Sequence, residues 1–206
     1  MSFLPKSGLG DKPPDLASVS EEEVIEHLVP KRRWLDGLMV TGGGPTLHED
    51  LSDFARKIRE LEFVMGVETN GTNPRMVEDL TRNGLVDYIA VDIKAPLTWD
   101  KYKVAVGVDD KELFEKVKGT AKILLHSDAD YEFRTIIVPN LTNEKDTLQI
   151  AKQLKNARKY CLQQFVPKGT LDEEYEDKES YPVEELVKIK NQVEDYFEIC
   201  ELRNVQ

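Results

Sequence analysis

Two cysteines, Cys161 and Cys200, stand far apart and make no CxxC-type spacing. A metal or cluster held by this chain alone needs three or four soft ligands. Both thiols therefore read as buried residues of strands. Histidine is as sparse, and His27, His48 and His126 are too scattered for a zinc site. No apolar run approaches the ~20 residues of a membrane helix, so no membrane is expected. The opening MSFLPKSGLGDKPPDLAS lacks the apolar centre of a secretory signal, and the reading is cytoplasmic. Basic residues are outnumbered: 28 Lys and Arg face 39 Asp and Glu, a net charge of -11. With no basic stripe, general nucleic-acid binding and an anionic membrane surface are both excluded.

What is present suits one soluble body with a sizeable core: 206 residues, 40% hydrophobic and 33% charged. Residues 1–19 read as a loop rich in Gly, Pro and Ser, and residues 20–206 as a single domain. The stretch everything flanks is LMVTGGGPTLHEDL, residues 38–51. A short apolar run ends in Gly42, Gly43 and Gly44, which permit backbone angles closed to other residues. Bare backbone at the carboxyl end of a strand lies where ligands sit in parallel α/β folds.

The pattern alternates along the chain. Ser20 and Glu23 form a capping box ahead of Val24, Ile25 and Leu28. Strand 38–41 follows, then a helix led by Thr46 or His48 with Leu51, Phe54, Ile58 and Leu61 at helical spacing. Strand 63–68 runs into the turn cluster TNGTNP, then helix 74–82 and strand 87–93. Residues 98–110 read as a connection. Helix 111–126, strand 131–138, helix 143–158 and strand 160–166 complete the run. An acidic loop at 168–180 precedes helix 182–196 and a closing strand, 197–202. Strand and helix in strict succession call for an α/β fold with a parallel sheet under helices.

Polar residues collect at the predicted strand ends. They are Thr41 with the glycines, Glu68-Thr69-Asn70, Asp92 and Lys94, and Gln163, Gln164 and Lys168, with Arg134 inside the fourth βα strand. In a parallel sheet they rim one face, where acids suit an amine and cations a carboxylate. The plainer account stays open: Glu68 and Asp92 as helix caps or as partners of Lys94 and Arg134, and the glycines as a tight turn. GGGP lacks both GK[ST] and GxGxxG, so no standard phosphate loop is present.

Taken together the blocks VTGGGPTL, ETNGTNP, VDYIAVDIKAPL, FRTIIVP and LQQFVPKGTLDEEY resemble radical SAM enzymes. The branch is that of the anaerobic ribonucleotide reductase activating proteins and the pyruvate formate-lyase activating enzyme. The resemblance runs from about Ser20 to Leu202. It implies a partial TIM-type (β/α) barrel of five to six βα units, a [4Fe–4S] cluster bound through CxxxCxxC, and S-adenosylmethionine (SAM). It implies reductive SAM cleavage to a 5′-deoxyadenosyl radical, which takes hydrogen from a glycine of a partner glycyl-radical enzyme. By resemblance Lys94 and Arg134 contact SAM, and Glu68 and Asp92 lie beside it or hold a monovalent cation; Gly42, Gly43, Gly44 and Asn70 complete the expected cofactor-binding set.

The sequence departs from that pattern at its head. In LPKSGLGDKPPDLA, Leu4, Gly8 and Asp11 fall where the cysteines belong, while Pro14 and Leu16 still match. Gly44 replaces the glutamate that binds the SAM amine, and Glu68 an aspartate. The family's first strand, which precedes the cysteines, is expected to be missing. That leaves an edge at strand 38–41 for a homodimer or partner chain. The expectation is an activating-enzyme relative that binds no cluster of its own. The alternative is a non-catalytic module for SAM, a nucleotide or a partner.

Overall fold

The computed structural model of the chain describes residues 19–167 and 173–205. The readings made on residues 1–18 and 168–172, Lys168 and the altered head among them, lie outside these. Six strands form one sheet in sequence order: β1 (Gly37–Val40), β2 (Val64–Thr69), β3 (Tyr88–Asp92), β4 (Asp130–Ile137), β5 (Lys159–Gln164) and β6 (Ile199–Arg203). Every neighbouring pair is parallel. This is the expected partial (β/α) barrel, with β1 and β6 as its edges among the described residues.

Helices α1 (Glu21–Leu28), α2 (Leu51–Glu60), α3 (Pro74–Arg82), α4 (Trp99–Val106), α5 (Lys111–Leu125), α6 (Glu144–Gln153) and α7 (Val183–Val193) alternate with the strands. Their starts follow from local chemistry. Ser20 and Glu23 close the capping box of α1, and Asn143 and Asp146 close another at α6. Asp110 accepts from Glu112 N and Leu113 N at the start of α5. No helix among the described residues is long and apolar enough to cross a membrane.

Three expectations are corrected. Residues 98–110 hold a helix, α4, whose Trp99 and Tyr102 pack on Phe114 at 5.7 and 5.4 Å. Its apolar side is short and aromatic rather than a long stripe, so periodicity did not mark it. Gly107, at φ 69°, ends it. Second, Thr46 and His48 do not open α2: a 3-10 turn, Pro45–Leu47, intervenes and Asp50 is the N-cap. Third, α6 stops at Gln153, and Asn156 at φ 69° turns the chain into β5.

Strand alternation sorts the side chains. Val67, Ile89, Val91, Tyr131, Phe133, Tyr160 and Leu162 pack in the main core with the helices. Their strand neighbours, Glu68, Tyr88, Ala90, Asp92, Glu132, Arg134 and Cys161, share the opposite, concave face.

Candidate functional site

The concave face carries a chain of ion pairs that crosses the sheet. Glu68, Ala90 and Glu132 are level across β2, β3 and β4. Arg134, one inward position further along β4, donates through Nη1 to Glu68 Oε1 at 2.6 Å and through Nε to Glu132. Its guanidinium bridges acids two strands apart, and the small Ala90 lies between them. Thr41, just past β1, donates to the other Glu68 oxygen at 2.6 Å. Arg203 on β6 grips both oxygens of Glu132, at 2.6 and 2.7 Å. Lys159 on β5 pairs with Glu201 at 3.0 Å.

Glu132 is fully buried, yet it is ionised by its surroundings. Burial raises a carboxyl pKa. The bonds from Arg203, Tyr88 and Arg134 outweigh burial and hold Glu132 below its ordinary value. Burial opposes ionisation of Glu68 too, and Thr41 and Arg134 reverse it. Desolvation and the Glu132 charge push the Tyr88 hydroxyl up to about 12. Three acids, Glu68, Glu132 and Glu201, face three cations, Arg134, Arg203 and Lys159, so this wall is neutral.

The rim lies at the strand C-ends. Asp92 is in register with Arg134, and Lys94 Nζ bonds Asp92 at 3.2 Å. Their side chains are 43% and 11% exposed, so the carboxylate is the part a ligand can reach. Asp92, Lys94, Arg134 and Ile136 line one small recess. Asn70 is committed locally: its Oδ1 accepts from Thr72 N and Thr72 Oγ1 at 3.0 and 2.7 Å. Gly42, Gly43 and Gly44 have φ of 79°, 56° and 76°, a left-handed run that a side chain disfavours. An added Cβ at Gly42 or Gly43 would meet nothing within 4 Å. Backbone angle, not crowding by the protein, is what those two positions require. The glycine loop is tied to the next strand by Thr46 Oγ1 to Thr69 Oγ1 at 2.8 Å, and Asn73 Nδ2 donates to Thr46 O at 2.7 Å.

The structure thus brings Glu68 and Arg134 into direct contact, and Asp92 and Lys94 into another. Both sequence cations are already paired. Glu132 and Arg203, the centre of the network, were missed. Within YEFRTII and the closing strand they occupy inward positions, and alternation against Phe133 and Leu202 would have flagged them.

Neither thiol suits a metal. Cys161 is level with Glu201 and Cys200 with Tyr160, so the two side chains take opposite faces of the sheet. Burial pushes the thiols up to about 12 and about 11, which keeps them protonated. Among the described residues no group of three His, Cys, Asp or Glu side chains is placed to hold a metal ion. These residues do not fit a [4Fe–4S] cluster.

The radical SAM superfamily model matches residues 6–154. The chain belongs to the radical SAM superfamily. A protein of Methanocaldococcus jannaschii provisionally named a glycyl-radical enzyme activating enzyme is 37% identical over 143 residues, 68% of this chain and 59% of that protein. A second from the same organism, named likewise, is 26% identical over 70% of this chain and 56% of its own length. The matches therefore span a little under six tenths of these relatives. Streptococcus suis SuiB bound to S-adenosylmethionine superposes with a TM-score of 0.68 at 13% identity, over 92% of this chain and 45% of that one. That likeness is one of fold.

Proposed function

We propose that this chain is a relative of the glycyl-radical activating enzymes whose 206 residues keep the barrel wall and rim but supply no cluster ligands, and so do not cleave SAM unaided. The observation that carries this reading is the pair of protonated thiols on opposite faces of the sheet. The provisional naming of both M. jannaschii relatives as glycyl-radical enzyme activating enzymes supports the branch. Ligands for iron would have to come from outside these residues. The test is anaerobic reconstitution with iron and sulfide, followed by iron analysis, absorption spectra and assay for 5′-deoxyadenosine under reductant. The expected result is no more iron than a Cys161→Ser, Cys200→Ser variant retains. Stoichiometric iron with 5′-deoxyadenosine overturns the proposal.

The reachable Asp92 carboxylate favours a second reading, a cytoplasmic module that binds a small zwitterion or nucleotide, or a glycyl-radical-type partner, without chemistry. Gly42, Gly43, Gly44, Glu68, Asn70, Asp92, Lys94 and Arg134 would form its rim. SAM is expected to bind weakly, because Arg134 and Lys94 are occupied by acids and Gly44 offers the amine no carboxylate. Calorimetry decides: tight SAM binding that Lys94→Ala abolishes establishes the module, and absence of heat leaves the first reading. A second copy or a partner chain would cover β1, where Met39 is exposed, with Trp34 ahead of the strand and Val64 at the start of β2 exposed as well. Light scattering that gives a monomer removes the homodimer.

A further inference from the structure

Arg134 is held by two acids in unlike ways. Glu132 is fully buried, and Arg203 grips both of its oxygens at 2.6 and 2.7 Å, so its hold on Arg134 Nε is fixed. Glu68 is the looser partner. Its side chain is 33% exposed, it meets Arg134 through Oε1 alone, and its Oε2 accepts from Thr41 at 2.6 Å. Glu68 can therefore turn away from Arg134 and keep Thr41, while Glu132 keeps the guanidinium in place. That departure frees Nη1, and Nη2 has no hydrogen-bond partner among the described residues. Two parallel N–H donors are the fork that a carboxylate accepts.

Space and charge limit what can take the place of Glu68. The recess beside Arg134, lined also by Asp92, Lys94 and Ile136, measures about 10 Å³, room for about one water. A ligand enters only as Glu68 moves aside. A plain carboxylate on Arg134 would strand the Glu68 charge in a part-buried place, which is costly. A headgroup with both a carboxylate and an ammonium leaves every charge answered. Its carboxylate takes Arg134, and its ammonium takes Glu68 and the reachable Asp92 on the adjoining strand. Lys94 holds Asp92 through Oδ2 at 3.2 Å, and Asp92 Oδ1 has no partner among the described residues. We propose that Glu68 is the specificity-determining residue of the rim: it stands in for a ligand carboxylate on Arg134 and gives way to an α-amino acid headgroup, whose ammonium it then receives. This rests on the reading of the rim as a site for a small zwitterion, and it adds which residue moves and which headgroup is admitted.

The probes are L-methionine and 4-(methylthio)butanoate, the same molecule without its amine, titrated against the full chain by NMR. The unaltered chain is expected to bind methionine in the millimolar range and the acid about tenfold more weakly. Glu68→Gln is expected to invert that order. The acid gains about tenfold because Arg134 is open, and methionine weakens because its ammonium has lost a partner. Glu68→Asp, a methylene shorter, draws the carboxylate back from Arg134 yet keeps an acid for the ammonium, and should bind methionine more tightly than the unaltered chain. Circular dichroism checks that both variants are folded. An acid affinity that Glu68→Gln leaves unchanged overturns the exchange, and so does a chain that binds neither probe with or without these substitutions. SAM binding that Lys94→Ala abolishes, beside an acid affinity unmoved by Glu68→Gln, overturns the exchange and leaves the zwitterion site standing.

Discussion

Glu132 and Phe133 are neighbours on β4, both fully buried, and they hold the sheet by opposite means. Phe133 faces the helices, where Tyr131 meets its ring edge at 5.3 Å and nothing polar is required of it. Glu132 faces the hollow, where its charge is tolerable only because Arg203 and Arg134 answer it. The convex face is stabilised by removal from water, with no demand on direction. The concave face depends on donors and acceptors meeting at fixed geometry, since an ion pair broken in a dry place costs more than it contributes whole.

The largest effects test that contrast directly. Phe133→Ala is expected to cost about 3–5 kcal/mol through lost transfer and a cavity. Glu132→Ala is expected to cost a similar ~3–5 kcal/mol by leaving two guanidinium groups unanswered. Urea denaturation at pH 7 measures both. Lowering the pH then separates them. The folded pKa values of Glu132 and Glu68 lie below their unfolded ones, so their contribution is complete above the unfolded value of about 4.3. It is lost as pH falls from there through the lowered folded values. The cost of Glu132→Ala should shrink over that interval while that of Phe133→Ala holds. Parallel pH profiles for the two variants would show that the carboxylate acts only as bulk.

A middle-sized effect probes how the network crosses β3. Arg134 reaches Glu68 because Ala90, level with both acids, leaves room above the sheet. Ala90→Leu adds three carbons at a position only 2% exposed and is expected to cost about 1–3 kcal/mol. It should also release Glu68, whose pKa, read by carboxyl NMR, should rise. A large loss of stability with the Glu68 titration unmoved would mean overpacking alone, and Arg134 would not depend on the space over Ala90.

The same contrast explains what the sequence made legible. Strands announced themselves through their convex residues: the apolar runs around Val67, Val91 and Phe133 were readable because hydrophobic burial leaves a periodic trace. Pro74 and Arg82 bounded α3 as expected, and Ser20 opened α1, because capping chemistry is local. Helix α4 escaped because its packing partner, Phe114, lies on α5, beyond any local window. At the site, Glu68, Asp92, Lys94 and Arg134 stood out as charges beside strand ends, but who pairs with whom is decided by register. Arg203 lies 71 residues from Glu132, and only the parallel order of β4, β5 and β6 brings them together. Glu68 as a partner of Arg134 was among the plainer readings, but the second acid on Arg134, Glu132, was for that reason invisible in the chain.

The smallest effect comes from placing the same chemistry in water. Arg32 pairs with Glu62 across the molecule's edge, with side chains 52% and 73% exposed. Exposed pairs gain little, because water screens the attraction and two long side chains must be held still. Arg32→Ala is expected to change stability by no more than about 0.5 kcal/mol. Arg203→Ala, an identical deletion on β6, leaves the fully buried Glu132 without its two-pronged partner and should cost several times more. Salt sharpens the pair: 1 M sodium chloride should erase what Arg32 contributes and leave most of the Arg203 effect. If the two arginines respond to salt alike, water reaches the concave face freely, and the neutral wall there is no drier than the surface.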